Sequence, residues 1–203
     1  QQQGNASSPF PSPTSLAIVL ALTTLPARAG TWTPLAHVAP GEVNTMLLLS
    51  DGTVLAAKND GQSTATISNV WFKLTPNAQG SYVQGTWSTV ASAPHTRLYY
   101  PSQVLRDGRV FTAGGEYGNG GPHADLYDPV ANTWTAIDPP AALWSTGSND
   151  FYDCNSEMLP DGKVLLMPVF PHSSGIPLRY DAATNTWSNA GHLFCASYPA
   201  EAS

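Results

Sequence analysis

Apolar positions in this chain fall into short runs separated by turn-forming residues, and none of the runs carries the period of an amphipathic helix. The clearest example lies between residues 102 and 137. Residues 102–105 form an apolar run that stops at Asp107-Gly108. Asp-Gly between two apolar runs predicts a two-residue hairpin, whose turn needs positive φ. Residues 110–113 return. Gly114-Gly115 then allows a sharp turn where a Cβ would clash. Residues 124–127 form a third strand, Asp128-Pro129 opens the next turn, and residues 132–137 supply a fourth. The unit predicted is four short antiparallel strands.

The unit recurs. Asp-Gly turns stand at Asp51, Asp107 and Asp161, each followed by Thr-Val, Arg-Val or Lys-Val. The Trp strand recurs at Trp87, Trp134 and Trp187, each after a threonine. A four-stranded unit repeating about every 50 residues has the period of a kelch-type propeller blade. The copies differ in detail. The Gly-Gly doublet occurs only in the middle copy, with Lys58-Asn59-Asp60-Gly61 in the first and Met167-Pro168 in the third. An antiparallel sandwich of short strands is the competing architecture.

On Asp107-Gly-Arg-Val, Gly114-Gly115, Tyr127-Asp-Pro and Asn132-Thr-Trp, the chain resembles the kelch repeat family. Within it, residues 41–191 are similar to the galactose oxidase-like central domain. The resemblance implies an all-β, kelch-type β-propeller of about three four-stranded blades, at residues 41–90, 95–137 and 150–189. Gly30-Thr31-Trp32 copies Gly85-Thr86-Trp87, so residues 31–35 are expected to form an orphan strand of the kind that completes a last blade. Three blades leave the ring incomplete. The two end faces should then be apolar and exposed, and the isolated chain is expected to associate or to be completed by a longer product.

Three segments follow: residues 1–29 as a disordered leader and signal peptide, 30–191 as blades, and 192–203 as an unpatterned tail. The apolar run at residues 15–22 is too short to span a bilayer, and Ala27-Arg28-Ala29 has the small-x-small form of a secretory cleavage site. This predicts a secreted or periplasmic product beginning at Gly30, with no membrane partner once the leader is removed. The 203 residues include 17 Gly, 18 Pro and only 8 Lys plus Arg, for a net charge of −6. With no basic run, nucleic acid is excluded as the expected partner. Cys154 and Cys195 are the only cysteines, and in an exported chain they either form one disulfide or stay as thiols. No zinc-ligand spacing occurs.

In a four-stranded blade the fourth-to-first and second-to-third connections share a rim. That rim gathers His95, Arg97 and Tyr99 with Glu116 and His123, and places Asp150, Asp153 and His172 on the third blade. Loops on one rim are where a scaffold of this kind carries a ligand. Arg97-Leu98-Tyr99 precedes the Asp107 turn as an Arg-x-Tyr does in copper radical oxidases of the galactose oxidase and glyoxal oxidase kind. By that resemblance Tyr99 would be a copper ligand and radical site. Such a centre also needs a cysteine from the preceding blade, a second tyrosine and two histidines. The corresponding place, near Val43-Asn44, holds no cysteine. The reading preferred on these grounds packs Tyr99 at the head of the inner strand with Arg97 at its edge. Trp71, Trp144 and Tyr152 lie outside the Trp register and could offer a carbohydrate-stacking surface. No catalytic constellation is found, neither a Gly-x-Ser-x-Gly elbow nor a P-loop. The function expected is a secreted, non-catalytic propeller scaffold that binds a protein or a glycan without a cofactor. The alternative is a relic of a copper radical oxidase.

Overall fold

The computed structural model describes residues 30–59, 63–143, 154–167 and 177–191. The fourteen strands among the described residues all lie in the compact unit that begins at Thr33. The first blade runs β1 (Val43–Leu48), β2 (Val54–Lys58), β3 (Trp71–Thr75) and β4 (Thr86–Thr89), each antiparallel to the next. After β5 (Arg97–Leu98) comes the second blade, built from β6 (Ser102–Val104), β7 (Val110–Ala113), β9 (Ala124–Asp128) and β10 (Thr133–Ala136). Between its second and third strands β8 (Tyr117–Gly118) pairs back onto β5 as a separate two-stranded ribbon. The third blade is β11 (Asn155–Met158), β12 (Val164–Met167), β13 (Leu178–Asp181) and β14 (Thr186–Asn189). The chain is therefore an all-β, kelch-type propeller whose described residues form three blades and close no ring.

The recurring hairpin is built differently from the two-residue turn the sequence suggests. In each blade the glycine amide donates to the carbonyl three residues back, Gly52 to Leu49, Gly108 to Leu105 and Gly162 to Leu159. The strands close at Leu49–Thr53, Leu105–Arg109 and Leu159–Lys163. Only the glycines have positive φ, at 80°, 88° and 87°. The aspartates do not, so a type I turn followed by a left-handed glycine replaces the turn that needs two positive φ values. Each aspartate instead caps the loop. Asp51 accepts from the Thr53 amide and hydroxyl, Asp107 from the Arg109 amide and guanidinium, and Asp161 from the Lys163 amide and ammonium.

These caps set an acid limit on the fold. Burial works to raise the Asp51 and Asp107 carboxyls, but the hydrogen bonds from Thr53 and Arg109 outweigh it and hold both below their ordinary value. Asp161 is lowered by the side-chain and backbone hydrogen bonds of Lys163. A depressed carboxyl contributes stability that is complete above its unfolded pKa and is lost as pH falls through the folded one. Urea midpoints should therefore hold steady down to about pH 4 and then drop. A triple Asp→Asn variant at 51, 107 and 161 should lose a smaller fraction of its stability between pH 4 and pH 2. Equal acid losses in the two proteins would show that the caps do not set this limit.

A second recurring device joins one blade to the next. The Trp134 indole donates to the Ala91 carbonyl at 2.9 Å and Trp187 to Ile137 at 2.6 Å, in each case the segment leaving the blade before. Trp87 does the same to His37 at 3.1 Å, so the chain ahead of β1 occupies the place of an exiting strand. Residues 31–35, expected as a strand, have no strand pairing. The docking contacts fall later, from Ala36 to Val83 and His37 to Gly85.

Two apolar seams hold the stack. Between the first and second blades lie Leu49, Leu55, Ala57, Trp71, Val110 and Tyr127, with Tyr100 and Trp134 against them. Trp71 is buried there, tilted on Trp134 at 5.3 Å, which removes it from any carbohydrate surface. Burial pushes the Tyr100 hydroxyl up to about 12, against a side-chain hydrogen bond with Thr45 and the charge of Arg97. Between the second and third blades lie Phe111, Ala113, Leu126, Val164, Leu166 and Tyr180. Strand alternation turns Met46 and Leu48 to the outer side of the first blade, where both are largely exposed. The apolar end face expected at the start of the stack is thus partly open among the described residues.

Candidate functional site

The rim of the second blade is organised by one buried ion pair. Asp125, the second residue of β9, has no solvent exposure, and Arg97 Nη2 donates to it at 2.7 Å. Burying two charges costs less when they pair and their remaining groups are hydrogen-bonded, and of the guanidinium nitrogens Nε is buried without a hydrogen-bond partner among the described residues. Arg97 Nη1 is ringed by the carbonyls of Gly114, Gly120 and His123, the last two at 2.8 and 3.0 Å. Those carbonyls belong to the connection from β7 to β9, so one guanidinium ties the ribbon to the blade. Gly120 is required here. A Cβ on it would run into the Arg97 side chain, coming within 2.6 Å of Cγ.

Two histidines complete the cluster. His95 Nδ1 lies 3.0 and 3.1 Å from the two Asp125 oxygens, and His123 Nδ1 lies 2.8 Å from Asp138. The imidazoles stack face to face, with centroids 3.9 Å apart and planes within 6°. Asp138 also accepts from the Ala124 amide at 3.0 Å, which fixes its carboxylate just beyond β10.

Tyr99 and Arg97 sit the opposite way round from the sequence expectation. Arg97 is buried and Tyr99 is 47% exposed. The reason is that Arg97 and Leu98 pair with β8 in the ribbon, while the inner strand of the blade begins only at Ser102. Tyr99, at the exit of the ribbon, adopts φ of +53°. A bulky residue in the left-handed region is strained by about 1–3 kcal/mol. Its ring meets Tyr117 edge to face at 6.1 Å, and Tyr117 is 41% exposed. Glu116, half-buried beside it, donates its amide to Leu98.

Of the residues gathered from sequence, His95, Arg97 and His123 meet directly, while Tyr99 and Glu116 lie on the ribbon they support. Asp150, Asp153, His172, Trp144 and Tyr152 lie outside the described residues. Cys154 is buried in the seam between the second and third blades, its sulfur 3.9 Å from the Ala113 carbonyl. Cys195 is outside the described residues, and so is the pairing of the two. Sequence reasoning missed Asp125, Asp138 and Tyr117. A charged residue inside the apolar strand at 124–127 was the available signal, because a fully buried carboxylate needs a cationic partner.

Two solved structures resemble the chain. The chain is similar to the structure of YjhT at 16% identity and a TM-score of 0.52, covering 76% of this chain and 53% of that one. It is also similar, at 21% identity and a TM-score of 0.48, to a fungal alcohol oxidase of the AA5 family in complex with copper, covering 74% of this chain and 30% of the oxidase. It therefore spans about half the length of the first and under a third of the second. No family model and no curated protein sequence matches. The first likeness supports a kelch-type propeller fold and carries nothing further.

Copper of the kind the resemblance implies does not fit the described residues. Among them, no three His, Cys, Asp or Glu side chains are placed to hold a metal ion. The stacked histidines cannot substitute, because imidazole lone pairs lie in the ring plane and two parallel rings cannot aim at one ion. Tyr99 has Tyr117 as its edge-to-face partner, and the position in the preceding blade is Val43-Asn44 rather than cysteine.

Proposed function

We propose that this chain is an exported binding scaffold that takes a glycan or protein ligand on the ribbon at the rim of its second blade. The observation that carries the reading is Tyr99, a strained and exposed aromatic held in place by a buried ion pair. Strain is retained where the surrounding structure over-determines it, and such positions cluster at ligand clamps. Tyr99 and Tyr117 offer two rings at 69° to each other, a corner into which a sugar or an apolar side chain can stack. Rigid aromatic anchors give contact area at small entropic cost on binding.

The test separates strain from stability. Tyr99→Gly relieves the left-handed backbone and removes the ring, so its urea midpoint should equal or exceed the wild-type value. In the same protein, capture on an array of neutral and acidic oligosaccharides and of unstructured peptides should be lost, and Tyr117→Ala should weaken it. Binding that survives Tyr99→Gly, or an array on which the wild-type protein binds nothing, would sink the proposal.

A further inference from the structure

The stacked pair at the base of the ribbon has a consequence for when the rim can bind. Histidine is the side chain whose charge ordinarily changes between about pH 5 and 8. A carboxylate only accepts, so Nδ1 carries the hydrogen in both His95 and His123, and Nε2 is where each ring takes a further proton. The charged groups facing the pair are Arg97 from β5, Asp125 from β9 and Asp138 just after β10. Tyr100, neutral at these pH values, lies within Coulombic range of Arg97, and Glu116 is the remaining acidic residue of the β7–β9 connection.

With both rings neutral, the cluster holds one cation and two carboxylates. One added proton balances it. A second proton places two imidazolium faces in contact at 3.9 Å and makes the cluster net positive. The second proton therefore sets like charges face to face and opposes the stack. His123 is the ring free to leave. Its side chain and that of Asp138 are more exposed than those of His95 and Asp125. Its backbone is also part of the ribbon's anchor, because its carbonyl accepts from Arg97 and from the Gly114 amide, and its amide donates to Gly120. Moving His123 loosens the connection that carries Tyr117.

We propose that the His95–His123 stack is a proton-operated latch, closed with at most one added proton and opened by the second, so that acidification frees the ribbon carrying Tyr99 and Tyr117. The regulatory meaning of the latch rests on the binding reading above. Its mechanics do not, and they are measured without any ligand.

Hydrogen–deuterium exchange of the full chain, corrected for the intrinsic pH dependence of exchange, should show the amides of residues 114–123 becoming several-fold less protected between pH 7.5 and pH 5. The strands of the first blade should not change. His123→Phe keeps a flat ring in the stack but cannot take the proton, and should leave the ribbon equally protected at both pH values. A ribbon whose protection is unchanged from pH 7.5 to 5, or whose response persists in His123→Phe, overturns the latch. If His123→Phe proves too unstable to study, an unchanged wild-type ribbon overturns it equally. Loss of ligand capture in Tyr99→Gly at pH 7.5 bears only on the binding reading, so the two can fail separately.

Discussion

Replacing Asp125 with alanine should destabilise the protein by about 3–5 kcal/mol, the range for stranding one partner of a buried ion pair. The carboxylate is fully buried and serves two groups at once, the Arg97 guanidinium and the His95 ring. Without it, Arg97 remains enclosed by three backbone carbonyls with its charge uncompensated. Arginine cannot shed its proton to escape, so the cost must appear as lost structure. The double variant Arg97→Met with Asp125→Ala removes both charges and should be less destabilised than the sum of the single changes, a coupling that urea denaturation can measure. Additive single costs, or an Asp125→Ala loss below about 1 kcal/mol, would mean that the pair does not organise the rim.

The propeller was legible because its signals are local and repeated. Asp-Gly and the Trp strand each act over a few residues, and three copies in register identify the architecture. The turn geometry was misread for a physical reason. Asp-Gly suits both a two-residue turn and a three-residue loop with a left-handed glycine, and residue identity alone does not separate them. What decides is where the flanking strands pair, Leu49 with Thr53 and its two counterparts, and that is set by blade packing. Asn132 and Asn185 make a similar point. Both have positive φ and accept from Tyr127 and Tyr180 hydroxyls, yet in sequence they read simply as the start of a strand.

The site was legible only as a neighbourhood. Antiparallel alternation places residues 95–99 and 116–123 on one rim, and in the structure β5 pairs with β8 and His95 stacks on His123. It could not say which side chain is inside. Arg97 is buried because the connection from β7 to β9 folds back to form β8 and closes carbonyls over it, a tertiary event with no local signature. Tyr99 is pushed outward by the same event. The Gly120 requirement follows in turn, since the space its Cβ would fill is taken by an arginine placed 23 residues earlier.

Phe111→Ala is expected to show that the blades do not share stability evenly. Phe111 has no exposure, and its ring lies 5.6 Å from Tyr180 and 6.0 Å from Trp187, across the seam between the second and third blades. Truncating a buried phenylalanine removes about 3–5 kcal/mol, as lost transfer free energy and as a cavity that neighbours fill only in part. Whole domains hold roughly 5–15 kcal/mol, so this change alone can consume most of a seam's stability. In stacked repeats, stability is carried by each unit and by its contacts with immediate neighbours. The third blade has one such contact among the described residues, through this seam. The second has two. Amide exchange in β11–β14 should therefore rise towards the unfolded rate in Phe111→Ala, while β1–β4 keep most of their protection through Trp71, Trp134 and Tyr127. A uniform loss across all three blades would instead mean that the chain unfolds as one cooperative unit, with coupling between seams stronger than nearest-neighbour contacts supply.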